Sequence, residues 1–209
     1  AIPEHAQHVI EVGSSSGALA KALKVKRPTV HYVGVEIDAA YVALSERYCD
    51  QAWLQDIELA GEEFWQRTKD RDCWVFGDTL EHMREPWDVL RKVRAVIPAT
   101  GTVVACIPNV QHWSMQVRLS VGDFRYQDSG LLDKTHVRWF TRQTMIELFE
   151  RAGFALQSVK PRVFDHPQRD KFLPTIEQMA TLAGADGQAA VLDALALQYV
   201  LTAVPKALV

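Results

Sequence analysis

Residues 9–17 read VIEVGSSSG and residues 33–38 read VGVEID. An apolar run closed by small residues, a helix-length interval, and a second apolar run closed by an acid make a strand–helix–strand unit of an open α/β sheet. No other pair of segments constrains the chain as tightly. Small side chains at the first turn let backbone N–H groups approach a ligand at the helix N-terminus. A carboxylate ending the second strand, here Glu36, is placed to accept from both hydroxyls of a ribose. The unit reads as a nucleoside site.

Glycine spacing narrows the kind. The dinucleotide pattern G-x-G-x-x-G falls on Gly13, Ser15 and Ala18, with one glycine, which argues against a nicotinamide-dependent oxidoreductase. The pattern (D/E)-x-G-x-G-x-G falls on Glu11, Gly13, Ser15 and Gly17 and fails only at its middle glycine. Downstream, Leu54-Gln55-Asp56-Ile57 is a short apolar step ending in an acid. Residues 72–76 (DCWVF) read as a buried strand entering Gly77-Asp78-Thr79-Leu80-Glu81-His82, and residues 102–107 as another strand before Pro108-Asn109. In this order and spacing the chain resembles the class I S-adenosylmethionine (SAM) methyltransferases, most closely the UbiE/UbiG-like small-molecule group, over essentially its whole length. Residues 128–154 resemble members of that group found in sugar and cell-surface glycan pathways.

The resemblance implies a Rossmann-like, doubly wound sheet of seven strands, mostly parallel. The last strand is antiparallel and inserted between strands five and six. It implies SAM as cofactor, with Glu36 on the ribose and Ile37 beside it. The backbone of Gly13, Ser14, Ser15 and Gly17 passes the methionine part, and that of Gly77 faces its amino group. Asp56 accepts from the adenine amine next to Ile57, and Glu11 orients the Gly/Ser loop through its N–H groups. The activity implied is methylation of a small-molecule or sugar hydroxyl. The alternative is a domain that binds SAM or its product, S-adenosylhomocysteine (SAH), without turnover in a longer protein.

Alternating strands and helices fit one domain over residues 1–209. Strands are expected at 9–12, 31–35, 52–54, 73–76, 102–107, 154–159 and 198–204. Helices are expected at 17–23, 39–48 (with Tyr41, Leu44 and Tyr48 on one face), 61–68, after Pro86 (with Trp87, Leu90, Val93 and Val96 inward), 141–153, and less regularly 172–195. Residues 108–141 break the pattern, and a connection of this length is usually functional, so a lid is expected there.

A net charge of −3 gives no general attraction to nucleic acid or anionic membrane, and the basic stretch Lys21–Arg27 lies at the far end of the first helix. The apolar runs are too short to span a bilayer, and no segment reads as a signal peptide. Cys49, Cys73 and Cys106 read as reduced core cysteines of a cytoplasmic protein. The chain starts at Ala1, eight residues before the first strand, so a trimmed N-terminus is expected. A homodimer is compatible with this composition.

Methyl transfer from a sulfonium needs alignment more than a strong catalytic group. His112, just past the fifth strand, and His136 in the lid are the candidate bases. Asp78, Glu81 and His82, three and four residues apart, with His136, offer carboxylate and imidazole ligands for a divalent cation. The pattern is similar to the E-x-x-E-H cluster of small-RNA 2′-O-methyltransferases, with Asp78 where that pattern has Glu. Trp113, Phe124, Tyr126, Trp139 and Phe140 are candidates to stack on an acceptor or to form the lid's own core.

Overall fold

The computed structural model describes residues 1–207. The elements alternate: β1 (His8–Val12), α1 (Ala18–Lys26), β2 (His31–Glu36), α2 (Ala39–Ser45), β3 (Gln51–Leu54), α3 (Glu62–Gln66), β4 (Cys73–Gly77), α4 (Pro86–Val96) and β5 (Thr102–Pro108). Then follow α5 (Trp113–Ser120), α6 (Arg142–Arg151), β6 (Phe154–Val163), α7 (Leu173–Leu182), α8 (Gly187–Leu195) and β7 (Ala196–Pro205). The sheet order is β3-β2-β1-β4-β5-β7-β6. β1 to β5 are parallel, and β7 runs antiparallel to both of its neighbours. Strand order reverses between β1 and β4, so a crevice opens above their carboxyl ends, where sheets of this kind bind ligands.

Strand alternation divides the core. Ile10, Val12, Val33, Val35, Trp74, Phe76 and Ile107 face α4 and α6, while Val9, Tyr32, Cys73, Val75 and Val104 face α1. α4 starts on Pro86, whose missing N–H costs nothing at a first turn. It buries Val89, Leu90 and Val93, each worth about 1.5–3 kcal/mol. Trp87 and Val96 pack only partly against the core, and Val89 takes the expected inward place. The Trp87 ring instead meets Phe140 and the Arg138 guanidinium.

Other differences have local causes. α2 ends at Ser45, and Tyr41 and Leu44 stay exposed because α2 lies at the narrow end of the sheet over β2 and β3. Residues 172–195 form two helices, parted at Gly184 with φ 78°. α7 and α8 pack Ile176 and Ala194 against Trp113 of α5. The first half of 108–141 is therefore a helix buttressed by two others, and only its second half is irregular. α6 begins on a reciprocal Thr141–Thr144 capping box and stops at Gly153, φ 89°. The three cysteines are free, and among the described residues no helix is long and apolar enough to cross a membrane.

Candidate active site

Glu36 is at the centre of the crevice. Its Oε2 accepts from the Ser15 N–H at 2.8 Å, and its Oε1 accepts from Ile37 N–H at 2.8 Å and Asp38 N–H at 3.3 Å. A carboxylate has about four acceptor sites, so capacity remains for ribose hydroxyls. The Gly13 and Ser14 N–H groups both donate to the Val35 carbonyl. The loop after β1 is thus tied to the end of β2 by its own backbone.

The loop's conformation explains its composition. Gly13 has φ 76°, and a Cβ there would lie 2.6 Å from Thr79 Oγ1. Thr79 Oγ1 donates to the Val12 and Gly77 carbonyls and clamps β1 to β4. Ser15, at the position where the motif wants glycine, is held at φ 46°. Asp78, directly after β4, is held at φ 52°. Two non-glycine residues in left-handed conformations thus line the same crevice.

Gly13, Ser15, Glu36, Ile37, Asp56, Ile57 and Gly77 line one pocket of about 820 Å³. Asp56 Oδ1 accepts from Glu58 N–H, which turns the chain after β3 and presents Ile57 to the pocket. Tyr41, Thr79, Met83, Asp133 and Thr135 also line it, and sequence reasoning did not single them out. Thr79 follows the Gly77-Asp78 turn, and Asp133 and Thr135 lie in the DKTH segment, so proximity to known motifs was the available signal. A groove of similar size, about 770 Å³, lies on the α1 side of the sheet, but only Gly77 of the expected cofactor residues borders it.

Asp78, His82 and Asp133 are shared with a smaller pocket of about 210 Å³, also lined by Glu81, His136, Gly130, Leu131, Leu197 and Gln198. The lid's second half thus roofs both pockets, fixed by Val137 and Arg138 N–H groups donating to the Glu81 carbonyl. Candidate ligand atoms of Glu81, His82 and His136 lie within 4.8 Å of one another. Glu81 is 1% exposed, and neither carboxylate oxygen has a hydrogen-bond partner. Burial pushes its carboxyl up to about 8. Burial, then the neighbouring His82, lowers the His136 pKa.

Several expected roles do not hold. Asp78 lines the same pocket but is outside the trio of mutually close ligand atoms, and its carboxylate accepts from Gln198 of β7. Glu11 does not hold the loop. Strand parity points it to the α1 side, where it accepts from the Tyr32 hydroxyl at 2.9 Å, and burial raises its carboxyl to about 7. Ser14 and Gly17 shape the turn from behind. Ser14 is buried where a Cβ on Gly34 would strike its Oγ, and Gly17 packs on the Ser45 backbone. His112 caps α5, its Nδ1 on Ser114 Oγ at 2.8 Å, beside Trp113 and outside both pockets. Burial lowers it to about 4. Trp113 and Phe140 are core residues; Phe124, Tyr126 and Trp139 form an exposed cluster on the lid.

A sheet of this order, with an acid-gated crevice at its switch point, defines the class I SAM-dependent methyltransferases. Residues 2–159 match the family described as methyltransferase domain, and the chain belongs to that family. It is a SAM-dependent methyltransferase. Its fold is similar to a SAM-dependent methyltransferase from Archaeoglobus fulgidus (14% identity, 96% of this chain and 87% of the other, TM-score 0.64). It is similar to the plantazolicin methyltransferase BpumL bound to SAH (12% identity, 97% and 77% covered, TM-score 0.61). It also resembles the [4+2]-cyclase SpnF (16% identity, 96% and 76% covered, TM-score 0.58). At such identities the likeness is one of fold. A comparison with curated proteins finds no match. No observation favours a SAM-binding domain without turnover.

Proposed function

We propose that the enzyme methylates an oxygen of a small-molecule or sugar acceptor held in the 210 Å³ pocket. One observation carries this reading: the pocket adjoining the SAM crevice is lined by Glu81, a buried carboxyl group with both oxygens unpartnered. A buried polar group without a hydrogen-bond partner is costly unless something arrives to use it. In the proposed reaction Glu36 holds the ribose, Asp56 the adenine, and the Gly13–Ser15 and Gly77 backbones the methionine end. The sulfonium methyl then faces the shared wall of Asp78 and His82. The acceptor oxygen forms its bond to the methyl carbon as the carbon–sulfur bond breaks, that electron pair returns to sulfur as SAH, and the hydroxyl proton passes to His136 or, where a cation has already ionised the hydroxyl, to solvent. The lid residues 130–136 exclude water while this happens.

Glu81, His82 and His136 fit a divalent cation in donor set and proximity. When bound, such an ion lowers the pKa of a coordinated hydroxyl. In a second reading, supported by the place of His136 in the pocket wall, His136 itself takes the hydroxyl proton through Nε2. One lone pair cannot serve both roles. Free cysteines support a reducing, cytoplasmic setting.

The test is transfer of labelled methyl from SAM to a panel of phenols, sugars and amines, with and without chelator. Oxygen products are expected, and Glu81→Gln should lower kcat at least tenfold. Products methylated only on nitrogen would reject the oxygen assignment. Full activity in chelator selects the His136 base.

A further inference from the structure

The two edges of the sheet are built differently. β6, at one end, carries Lys160, Pro161 and Arg162 and two register shifts, features that keep an edge from pairing with another chain. β3, at the other end, reads QAWL, with no charge, no proline and no shift against β2. Its outer N–H and C=O groups face no strand among the described residues. Beside it, α2 reads AAYVALS, again without a charge. Ala39, Ala40, Tyr41, Ala43 and Leu44 are exposed, and Leu54 on the neighbouring strand is 59% exposed. A surface helix whose outer face is wholly apolar, next to a bare strand, is a partner surface.

We propose that this surface joins two copies of the chain about a two-fold axis, with β3 pairing antiparallel to its counterpart and α2 alongside α2. Charge selects a second copy in that orientation. At the start of β3, Lys24 neutralises Asp50 at 2.5 Å, while Lys21 and Arg47 have no carboxylate partner among the described residues and only Glu46 beside them. At its end is Glu58, whose Oε1 also accepts from the Glu85 N–H; Asp56 beside it lines the cofactor pocket and plays no part in the contact. Antiparallel self-pairing sets the basic start of each strand against the acidic end of the other. Parallel pairing would set like against like. A two-fold contact is self-complementary in just this way.

The same surface borders the cofactor. Ile37 and Tyr41 line the SAM pocket and flank the exposed apolar face. The proposal therefore includes a coupling between association and cofactor binding, which by linkage is reciprocal.

Sedimentation velocity over a protein concentration series, with and without SAH, tests this. A monomer–dimer equilibrium is expected, with SAH shifting the dimer constant severalfold. Ala43→Glu and Leu54→Lys should each weaken association at least tenfold while circular dichroism stays native. Arg47→Glu should also weaken it, and adding Glu58→Lys to that variant should restore it. A chain that is monomeric at every concentration overturns the proposal, as does a dimer indifferent to Ala43→Glu and Leu54→Lys. Failure of the charge swap to rescue overturns the antiparallel arrangement.

Discussion

The Ser15 N–H donates to the Glu36 carboxylate at 2.8 Å, so the acid proposed to hold the ribose also holds the loop proposed to pass the methionine. The two halves of the cofactor site are one hydrogen-bonded object. Glu36→Ala should therefore weaken SAM roughly tenfold to a hundredfold, about 1.5–3 kcal/mol, by removing charge-assisted bonds. It should also raise amide exchange at residues 13–17. Calorimetry showing unchanged SAM affinity would refute the ribose role.

Ser15 at φ 46° carries the strain of a left-handed L-residue, a cost of about 1–2 kcal/mol. Glycine escapes that cost but loses more chain entropy on folding. The net expectation for Ser15→Gly is a gain of about 0.5–1 kcal/mol, read as a higher melting temperature with SAM binding kept. A drop in melting temperature would show that the serine side chain contributes more than its strain costs.

The two raised carboxyls set a pH dependence. Glu81 is pushed up to about 8 and Glu11 to about 7 from an ordinary 4.5. A carboxyl whose folded pKa is raised adds stability in full below its unfolded value. That contribution is lost as pH climbs through the folded value. Metal-free protein should accordingly melt at lower temperature near pH 8.5 than near pH 5.5. Between the ordinary and the raised pKa, each pH unit costs about 1.4 kcal/mol per carboxyl. Glu81→Gln should flatten the upper part of this profile. Identical profiles for the two proteins would sink the assignment.

Only the second half of the segment between β5 and α6 lines the two pockets. Hydrogen exchange at residues 130–136 should slow when SAH is added, because these residues roof the pockets. Residues 113–120 should not respond, since Trp113 is already packed by α7 and α8. Protection confined to 113–120 would reverse the roles of the two halves.

Sequence made the first strand–helix–strand unit legible because its information is local: small residues, an acid and their spacing. Strand positions were close for the same reason, since alternating burial leaves its mark within a few residues. Glu11 was misread because spacing in a motif does not say which sheet face a strand residue takes, and Tyr32, its partner, is on another strand. His112 was misread because a residue just past a strand can cap the next helix instead of facing the crevice. The Gln198–Asp78 contact joins residues 120 positions apart, and no local pattern encodes it. Helical spacing put Tyr41 and Leu44 on one face of α2, and spacing alone does not say whether such a face is covered.

The place of β7 governs how the chain comes to be made. β5 pairs with β7 through residues 90 to 100 positions apart, and β6 has β7 as its strand neighbour. As the polypeptide leaves the ribosome, β1 to β5 can assemble in the order of synthesis. β5 then presents a naked edge, and β6 emerges without a mate. Both wait through some thirty residues of α7 and α8 until β7 slides between them. This interval is the period of greatest exposure to chaperones and to misassociation. Translation pauses ahead of residue 196 would lengthen it, and slowing there should cut soluble yield more than slowing anywhere in the first half.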